Sequence, residues 1–415
     1  DLLAENQLGT VAGVQGAKEQ ALLNIAVNQE HKNRLKTTWF DVKKAFDSVD
    51  HNYLIKCIER LKLPGWILVF LRGITSRWQV AIKSGAEVIM HKKISRGILQ
   101  GDSLSPLLFV LCLDPLSRRL NSRYPKVPVP TENGMHVTNH LLFVDDLKLL
   151  ALEEEDLARM VSETQRFFDI IGLEINKDKS ATNASSCNEM AVVLEGTQGY
   201  KYLGITEDST SRPKRECYDK LRTELYLRVN SLCATRLNAN NLIKAINEFG
   251  INLINYYVGL LRLEPADYAE LDSGIQKILT GHGIHKQPAC LERLYLPRTE
   301  LGRGLHNIEH RGEQMMLALY NCLERSAPVS TRRAAILKVE RANNTHLGKI
   351  RAYLKAKYKA EDCANAKKLG ELQAAALYSE IKTKTRHEKL YRARENGLAS
   401  VKDSSIWLKH GNIRP

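Results

Sequence analysis

Three aspartates at the ends of short apolar, β-prone runs could share one reaction centre. Asp41 follows residues 37–40, and the pair Asp145 and Asp146 separates two apolar runs. Two strand ends brought together would cluster three carboxylates, whose like charges raise one another's pKa. Divalent cations with oxygen ligands remove that cost and bind phosphate oxygens, so the pattern favours metal-dependent nucleotidyl transfer. The competing interpretation is an ordinary turn, which an Asp–Asp pair alone would favour more strongly.

The aspartates belong to a set of five sequence patterns that follow one another along the chain. Any one of the five has little specificity, whereas the whole set in this order is highly specific. The patterns are DVKKAFD at residues 41–47, RGILQGDSLSP at 96–106, FVDD at 143–146, GLEINKDK at 172–179 and YLGI at 202–205.

This set of patterns resembles that of reverse transcriptases and, within that superfamily, that of non-long-terminal-repeat (LINE-type) retrotransposons. The resemblance covers about residues 5–205. It implies an RNA-directed DNA polymerase that extends a DNA 3′-hydroxyl on an RNA template, with dNTPs as substrates. Template RNA and primer or target DNA are therefore the expected partners.

The resemblance also implies metal ligands and a proton donor. Asp41 and Asp145 would hold two Mg²⁺ ions (Mn²⁺ is possible), Asp146 would be a supporting ligand, and the carbonyl of Val42 would complete a metal shell. Lys179 matches the lysine that could protonate the leaving pyrophosphate. Lys177 is a rival for that role, and either lysine could be a solvated surface residue.

Further residues match the nucleotide-binding and primer-binding parts of the family. Phe46 matches the steric gate that excludes a 2′-hydroxyl, although ordinary core packing would also explain an aromatic residue there. Gln100 and Gly101 match the loop that packs against the incoming nucleotide and the template, where glycine permits close backbone approach. The residues that match the primer-gripping hairpin are Tyr202, Leu203 and Gly204.

Two features of the resemblance are weaker. Asn6, Gln7 and Gly9 resemble a segment of the fingers of the family. Val144 stands before the aspartate pair, where many relatives have alanine. We expect Val144 to pack near the primer end without loss of activity.

The later part of the chain resembles site-specific elements that end in a restriction-like endonuclease. The segments that carry this resemblance are RLYLPR at 293–298, GRGL at 302–305 and, more weakly, WLKHGN at 407–412. The sequence does not begin with Met and contains no CxxC pair. We therefore expect a partial chain that stops before a zinc knuckle and an endonuclease.

The elements that must position these residues indicate an α+β fold. The resemblance specifies it as a right-hand polymerase, with fingers and palm (an antiparallel sheet plus helices) at 1–210, a helical thumb at 211–285 and a basic helical extension at 286–415. Apolar periodicity and turn residues predict the individual elements. They predict helices at 17–31, 50–62, 64–74, 103–120 and 153–171, a hairpin at 78–83 and 86–94, a loop at 124–134, strands at 140–144 and 147–151, and short strands at 173–176, 190–194 and 201–205.

Composition agrees with a nucleic-acid partner. The 415 residues include 61 Lys and Arg against 47 Asp and Glu, a net charge of +14, which favours a polyanionic partner. Neither a run of 18 apolar residues nor a signal peptide is present, so we expect no membrane association. A basic protein that acts on chromosomes is expected in the nucleus, after a cytoplasmic phase bound to RNA. Candidate phosphate contacts in the thumb are Arg222, Arg228, Arg236 and Lys244.

Two alternatives to an active retrotransposon polymerase remain open at this point. Decayed copies of mobile elements are common, so the chain could be a catalytically inactive or domesticated nucleic-acid-binding remnant. The unbroken aspartates and the QGDS loop at 100–103 count against that alternative. A group II intron-type maturase shares the polymerase patterns and is the second alternative.

Overall fold

Two compact units make up the chain, residues 1–214 and residues 215–415. The computed structural model describes residues 3–195, 198–208, 213–286, 289–360, 365–406 and 408. The division falls four residues after the boundary predicted at 210. The further boundary predicted at 285 stays a prediction.

The first unit is built on a five-stranded, largely antiparallel sheet. The strand order is β11-β10-β1-β8-β7, so β1 lies in the middle with β8 on one side and β10 on the other. Every residue of β1 except the first is buried, as expected of a central strand. The strands of this sheet are β1 (Lys36–Phe40), β7 (His140–Phe143), β8 (Asp146–Ala151), β10 (Ala181–Thr182) and β11 (Val192–Val193).

Four two-stranded ribbons accompany this sheet, and all four are antiparallel. Two of them matter for the site, because β2–β9 begins directly after Asp41 and β12–β13 carries the YLGI pattern. The ribbon strands are β2 (Val42–Lys43), β3 (Gln79–Ser84), β4 (Glu87–Lys93), β5 (Val127–Pro130), β6 (Met135–Thr138), β9 (Glu174–Ile175), β12 (Gly199–Tyr202) and β13 (Ile205–Asp208).

The helices of the first unit match the predicted ones and supply its core. Pro106 lies in the first turn of α4, where a missing N–H costs nothing, and Gly172 caps α5 directly after its last residue in the left-handed conformation (φ 75°). Apolar faces of α4 and α5 pack with β7 and β8 in one buried cluster. The helices are α1 (Ala17–His31), α2 (His51–Glu59), α3 (Gly65–Arg77), α4 (Ser105–Arg123) and α5 (Glu154–Ile171).

Two local predictions were wrong. The segment 124–134 contains strand β5, which pairs with β6 as a hairpin, because Val127 and Val129 bury one face while the prolines occupy the other. A two-stranded ribbon has only edge strands, where proline is tolerated. The single strand predicted at 201–205 is interrupted, because residues 201–202 end β12, residue 205 begins β13, and Leu203 and Gly204 form the turn between them with positive φ (46° and 80°).

The second unit is helical in its described residues, as predicted for the thumb and the basic extension. A π-helical turn at Ile246–Gly250 follows α7 directly. None of the helices in the described residues is long and apolar enough to cross a membrane. The helices are α6 (Glu216–Cys233), α7 (Ala239–Ala245), α8 (Ile254–Tyr257), α9 (Pro265–Gly281), α10 (Glu292–Tyr295), α11 (Ile308–Ser326), α12 (Thr331–Ala342), α13 (His346–Tyr358), α14 (Ala366–Lys382), α15 (Thr385–Glu395) and α16 (Val401–Ser404).

Candidate active site

Asp41 lies at the junction between the buried strand β1 and the short strand β2. Its backbone N–H donates to Ser180 Oγ (3.1 Å), and its carbonyl accepts from the N–H of Asn176 (2.8 Å). Val42, the proposed carbonyl ligand, is largely buried and pairs with Ile175. The loop at 176–180 therefore fixes the backbone of Asp41 from both sides.

The aspartate pair occupies the tight turn between β7 and β8. Val144 and Asp145 form the turn, and Asp146 begins β8 opposite Phe143. Phe40 is the partner of Leu147 across β1 and β8, so continuing this antiparallel register brings Asp41 opposite Asp146. The sheet thus brings together the three aspartates that the sequence singled out.

Burial and like charge both disfavour ionisation of the aspartate pair. The pKa of Asp146 is raised to about 6, mainly by burial. The negative charge of Asp145 raises it further, and that of Asp41 adds a smaller contribution. Burial also raises the pKa of Asp145, with a smaller contribution from the charge of Asp41 and an opposing one from a backbone hydrogen bond. The cluster therefore concentrates negative charge that a bound cation would relieve.

The carboxylates do not form a complete coordination shell in the described structure. Among the residues that the structure describes, no group of three or more His, Cys, Asp or Glu side chains is arranged to hold a metal ion. What the fold supplies is three nearby oxygen donors on two strand ends. Hard divalent cations such as Mg²⁺ prefer donors of this kind.

The predicted nucleotide-binding residues lie on two segments that contact each other. Phe46 stacks on Phe109 with ring centroids 4.7 Å apart, and its carbonyl accepts from the N–H of Ile98 (2.7 Å). Gln100 Nε2 donates to Asp47 Oδ1 at 3.5 Å, a long contact. The structure therefore brings Phe46 and Gln100 onto neighbouring segments, and it also gives Phe46 a packing role.

Glycines allow the loop at 96–101 to approach that segment. Gly97 has φ 95°, and a Cβ there would lie 2.8 Å from the carbonyl oxygen of Asp47, too close for any other residue. Gly101 also has a left-handed φ of 93° but has open space around it. Close approach thus explains Gly97, whereas backbone conformation alone explains Gly101.

Lys179 lies on the loop that holds the backbone of Asp41. It belongs to the short 3-10 turn Lys177–Lys179, and its backbone N–H donates to the carbonyl of Asn176 (3.1 Å). The side chains of Lys177 and Lys179 are both exposed. The fold therefore leaves both lysines as candidates for the proton donor.

The hairpin β12–β13 carries the predicted primer-gripping residues. Tyr202 is 2% exposed and packs against Trp39 and Ala181 of the central sheet. Leu203 and Gly204 form the turn. Tyr202 therefore anchors the hairpin to the sheet, and the turn is the part left to contact a ligand.

A buried ion pair beneath this hairpin was missed from the sequence. Lys148 Nζ lies 3.0 Å from Glu207 Oε2, donates to Asn24 Oδ1 (2.6 Å) and sits 4.5 Å from the centre of the Trp39 ring. Burial lowers the pKa of Lys148 and raises that of Glu207. The charge of Glu207 partly offsets the lowering at Lys148, and the charge of Lys148 partly offsets the rise at Glu207. The available signal was a lysine inside the apolar run 147–151.

Tyr200 is a second residue near the aspartates that sequence reasoning missed. Its ring stacks on Trp39 with centroids 5.4 Å apart. Burial raises the pKa of Tyr200, and the charges of Asp41 and Asp146 raise it further. Its hydroxyl is therefore held in the protonated form close to the carboxylates.

The chain is similar to one protein family and to several known proteins. Residues 1–206 match the family model of reverse transcriptase (RNA-dependent DNA polymerase). The chain is 26% identical over 328 residues to a retrovirus-related Pol polyprotein from type-1 retrotransposable element R2 of Nasonia vitripennis, over 72% of this chain and 30% of that protein. It is 27% identical over 216 residues to the corresponding protein of the type-2 element R2DM of Drosophila melanogaster, over 47% of this chain and 20% of that protein.

A further relative of the same kind and one solved structure are also similar. A type-1 R2 Pol polyprotein of Popillia japonica is 28% identical over 198 residues, covering 44% of this chain and 32% of that protein. The structure is a telomerase from Candida albicans in complex with a TWJ fragment of telomeric RNA, with a TM-score of 0.40 and 10% identity over 89% of this chain and 53% of that one. This chain spans less than a third of the length of the three Pol relatives.

Proposed function

Because residues 1–206 are a reverse-transcriptase domain and the chain is related to the Pol polyproteins of R2 non-LTR retrotransposons, we propose that it is an RNA-directed DNA polymerase. It would extend a DNA 3′-hydroxyl on an RNA template by nucleotidyl transfer. The observation that carries the proposal is the strand register that brings Asp41 opposite Asp146, next to Asp145.

Mg²⁺, with Mn²⁺ as a substitute, is the cofactor in this proposal. The chemistry of the donors fits, because the strand register brings three aspartates to two neighbouring strand ends and Mg²⁺ prefers carboxylate oxygens, although the described side chains are not arranged around a common metal position. Asp41 and Asp145 would hold the ions, with support from Asp146 and the Val42 carbonyl. Bound ions would supply charge stabilisation and orientation at the transferring phosphoryl group.

The residues around the aspartates would bind and select the nucleotide. Phe46 would exclude the 2′-hydroxyl of a ribonucleotide, and Gln100 and Gly101 would pack against the incoming dNTP and the template. Lys179 would protonate the leaving pyrophosphate. The turn at Leu203 and Gly204, anchored by Tyr202, would contact the primer end.

Template RNA, primer or target DNA and dNTPs would be the partners of the whole protein. The net charge of +14 supports a polyanionic partner. Action on chromosomal DNA would place the protein in the nucleus after a cytoplasmic phase bound to RNA. The resemblance of residues 293–305 to site-specific elements supports an additional restriction-like endonuclease in the longer protein.

Primer extension tests the proposal. The purified chain would be given an RNA template annealed to a DNA primer, dNTPs and Mg²⁺, beside the double variant Asp145→Asn, Asp146→Asn. We expect extension by the wild type only, and its loss on adding EDTA. Removing both carboxylates takes away ligands without changing side-chain shape, so a loss of about 10³-fold or more is expected if they hold the metal ions.

Other results would contradict the proposal. Equal extension by both proteins would assign the activity to another site or to a contaminant. Binding of the template–primer without extension, in the presence of Mg²⁺ or Mn²⁺, would favour an inactive nucleic-acid-binding remnant. Circular dichroism of both proteins would show that the double variant is folded.

A further inference from the structure

The residue before the catalytic pair has an unfavourable backbone conformation. Val144 has φ 57°, in the left-handed region that β-branched residues rarely adopt. A conformation of this kind costs on the order of 1–3 kcal/mol and persists only where the surroundings enforce it. Because Asp145 follows directly, the Val144 backbone sets the direction in which the chain enters Asp145.

One buried glutamine holds both polar groups of that backbone. Gln7 Oε1 accepts a hydrogen bond from the N–H of Val144 (2.9 Å), and Gln7 Nε2 donates to the carbonyl of Val144 (3.3 Å). The same Oε1 accepts from the N–H of Gly9 (2.9 Å). Gln7 is only 2% exposed, so water does not compete for these bonds.

The segment at 6–9 is itself fixed beside β7. Leu8 donates its backbone N–H to the carbonyl of Leu142 (3.1 Å), and Leu142 donates back to the carbonyl of Asn6 (3.1 Å). Asn6 Nδ2 donates to Thr138 Oγ1 and to the carbonyl of His140, both at 3.0 Å. The segment that carries Gln7 is therefore hydrogen-bonded to β7, the strand that leads into the turn.

Gly9 completes the arrangement by leaving room for the turn. A Cβ at this position would lie 2.7 Å from Val144 Cγ2 and 2.9 Å from both Val144 N and Gln7 Oε1. Any other residue would push the turn away or break the hydrogen bonds of the glutamine. The pattern Asn-Gln-x-Gly thus has a geometric reason at each of its three named positions.

We propose that Gln7 is a positioning residue for the catalytic turn, which holds Val144 in its left-handed conformation and thereby aims the Asp145 carboxylate. The catalytic meaning of this role rests on the polymerase function proposed above. The hydrogen bonds themselves do not, so the inference has consequences that can be measured without turnover. If Gln7 only packed against its neighbours, an apolar side chain of the same shape could replace it without effect.

The test compares Gln7→Met, which keeps the shape and removes the three hydrogen bonds, with Gln29→Met. Gln29 is a partly buried glutamine near the far end of α1, and no described hydrogen bond reaches its side-chain oxygen. It lies about 20 Å along the helix from Gly16, where an added Cβ would lie 3.6 Å from Phe143 Cε2. We expect Gln7→Met to lower kcat by about 10- to 100-fold, as loss of a residue that orients a metal ligand does. The Mg²⁺ concentration for half-maximal rate should rise, while KM for dNTP should change little.

Two readouts do not depend on turnover. Amide hydrogen exchange at Val144 should become faster in Gln7→Met than in the wild type or Gln29→Met, and Mn²⁺ binding followed by electron paramagnetic resonance should weaken. Adding Val144→Gly to Gln7→Met should restore part of the Mn²⁺ affinity, because glycine adopts positive φ without cost. A residue that only packs would not be rescued in this way.

The outcomes separate the inference from the proposed function. If Gln7→Met and Gln29→Met agree in Val144 exchange, Mn²⁺ binding and Mg²⁺ dependence, the inference is overturned. If the wild type does not extend a primer, the proposed function fails, and the exchange and Mn²⁺ data still decide the role of Gln7. Should Gln7→Met not fold, Gln7→Glu keeps the acceptor bonds and removes only the bond to the Val144 carbonyl. Because Gln7→Glu keeps the bond accepted from the Val144 N–H, metal binding is its deciding readout. Weaker Mn²⁺ binding than in the wild type would support the inference, and wild-type Mn²⁺ binding would overturn it.

Discussion

At the residue scale, the surroundings of Phe46 are compatible with both core packing and the nucleotide selection that we propose for it. It is partly exposed next to the segment of Gln100, and it stacks on the fully buried Phe109. Packing and nucleotide selection are therefore compatible, because one face of the ring is held by the core and the rest can meet a ligand. Substitution can separate the two roles, since only selection changes the ratio between two substrates.

We predict that Phe46→Val lowers the preference for dATP over ATP by about 10-fold or more, because a smaller side chain leaves space for the 2′-hydroxyl. The measurement is kcat/KM for both nucleotides on the same primer and template. Phe70→Val is the matched control, since Phe70 on α3 is 57% exposed. If Phe46→Val loses stability but keeps the wild-type ratio, Phe46 is a packing residue only.

At the element scale, the hairpin β12–β13 depends on a buried charge pair as well as on apolar packing. Glu207 of β13 reaches Lys148 of β8, and Asn24 of α1 bonds to both. The pair therefore joins a ribbon, the central sheet and a helix at one point. Burial makes each charge costly alone, and the partner offsets that cost.

We predict that Lys148→Met destabilises the chain by about 3–5 kcal/mol, because Glu207 is left buried without its cation. Adding Glu207→Leu should recover part of the lost stability, as measured by urea denaturation of the whole chain. Lys36→Met is the control, since its ion pair with Glu154 is about one-third exposed and should contribute less than about 1 kcal/mol. Equal effects of Lys148→Met and Lys36→Met would contradict a structural role for the buried pair.

At the scale of the whole molecule, net charge does not reveal which cations are available to a ligand. Arg222 and Arg228, two of the four phosphate contacts expected in the thumb, already form ion pairs, Arg222 with Asp219 and Glu270 and Arg228 with Glu224. Arg236 and Lys244 are exposed. Some of the cationic side chains that contribute to the net charge of +14 are therefore less available to bind phosphate than others.

We predict that affinity for a template–primer duplex falls steeply with salt, because bound phosphates release counterions. Arg236→Gln with Lys244→Gln should reduce the slope of log K against log salt by about one for each phosphate that the variant no longer binds. Arg222→Gln should reduce it less, since that guanidinium is already paired. The measurement is fluorescence anisotropy over a salt series, and an equal or larger change from Arg222→Gln would contradict this assignment.

The sequence by itself determined the class of fold, most of the elements and the identity of the three aspartates. Those features depend on signals that act over a few residues, such as apolar periodicity, Pro106 in the first turn of α4 and Gly172 at the end of α5. The two local errors, at 124–134 and 201–205, arose where pairing with a neighbouring strand outweighed the local signal. Proline, asparagine and glycine suggested a loop in the first. The second was predicted as one strand, although the family resemblance matched Tyr202, Leu203 and Gly204 to a hairpin.

Only the tertiary structure decided which distant residues meet. The register of β1 and β8 brings Asp41 opposite Asp146, Gln7 reaches Val144 across 137 positions, and Lys148 finds Glu207 across 59. Such pairings depend on how the sheet, the ribbons and the helices pack, which no local pattern encodes. The sequence therefore named the carboxylates, whereas the fold alone specified what holds them in place.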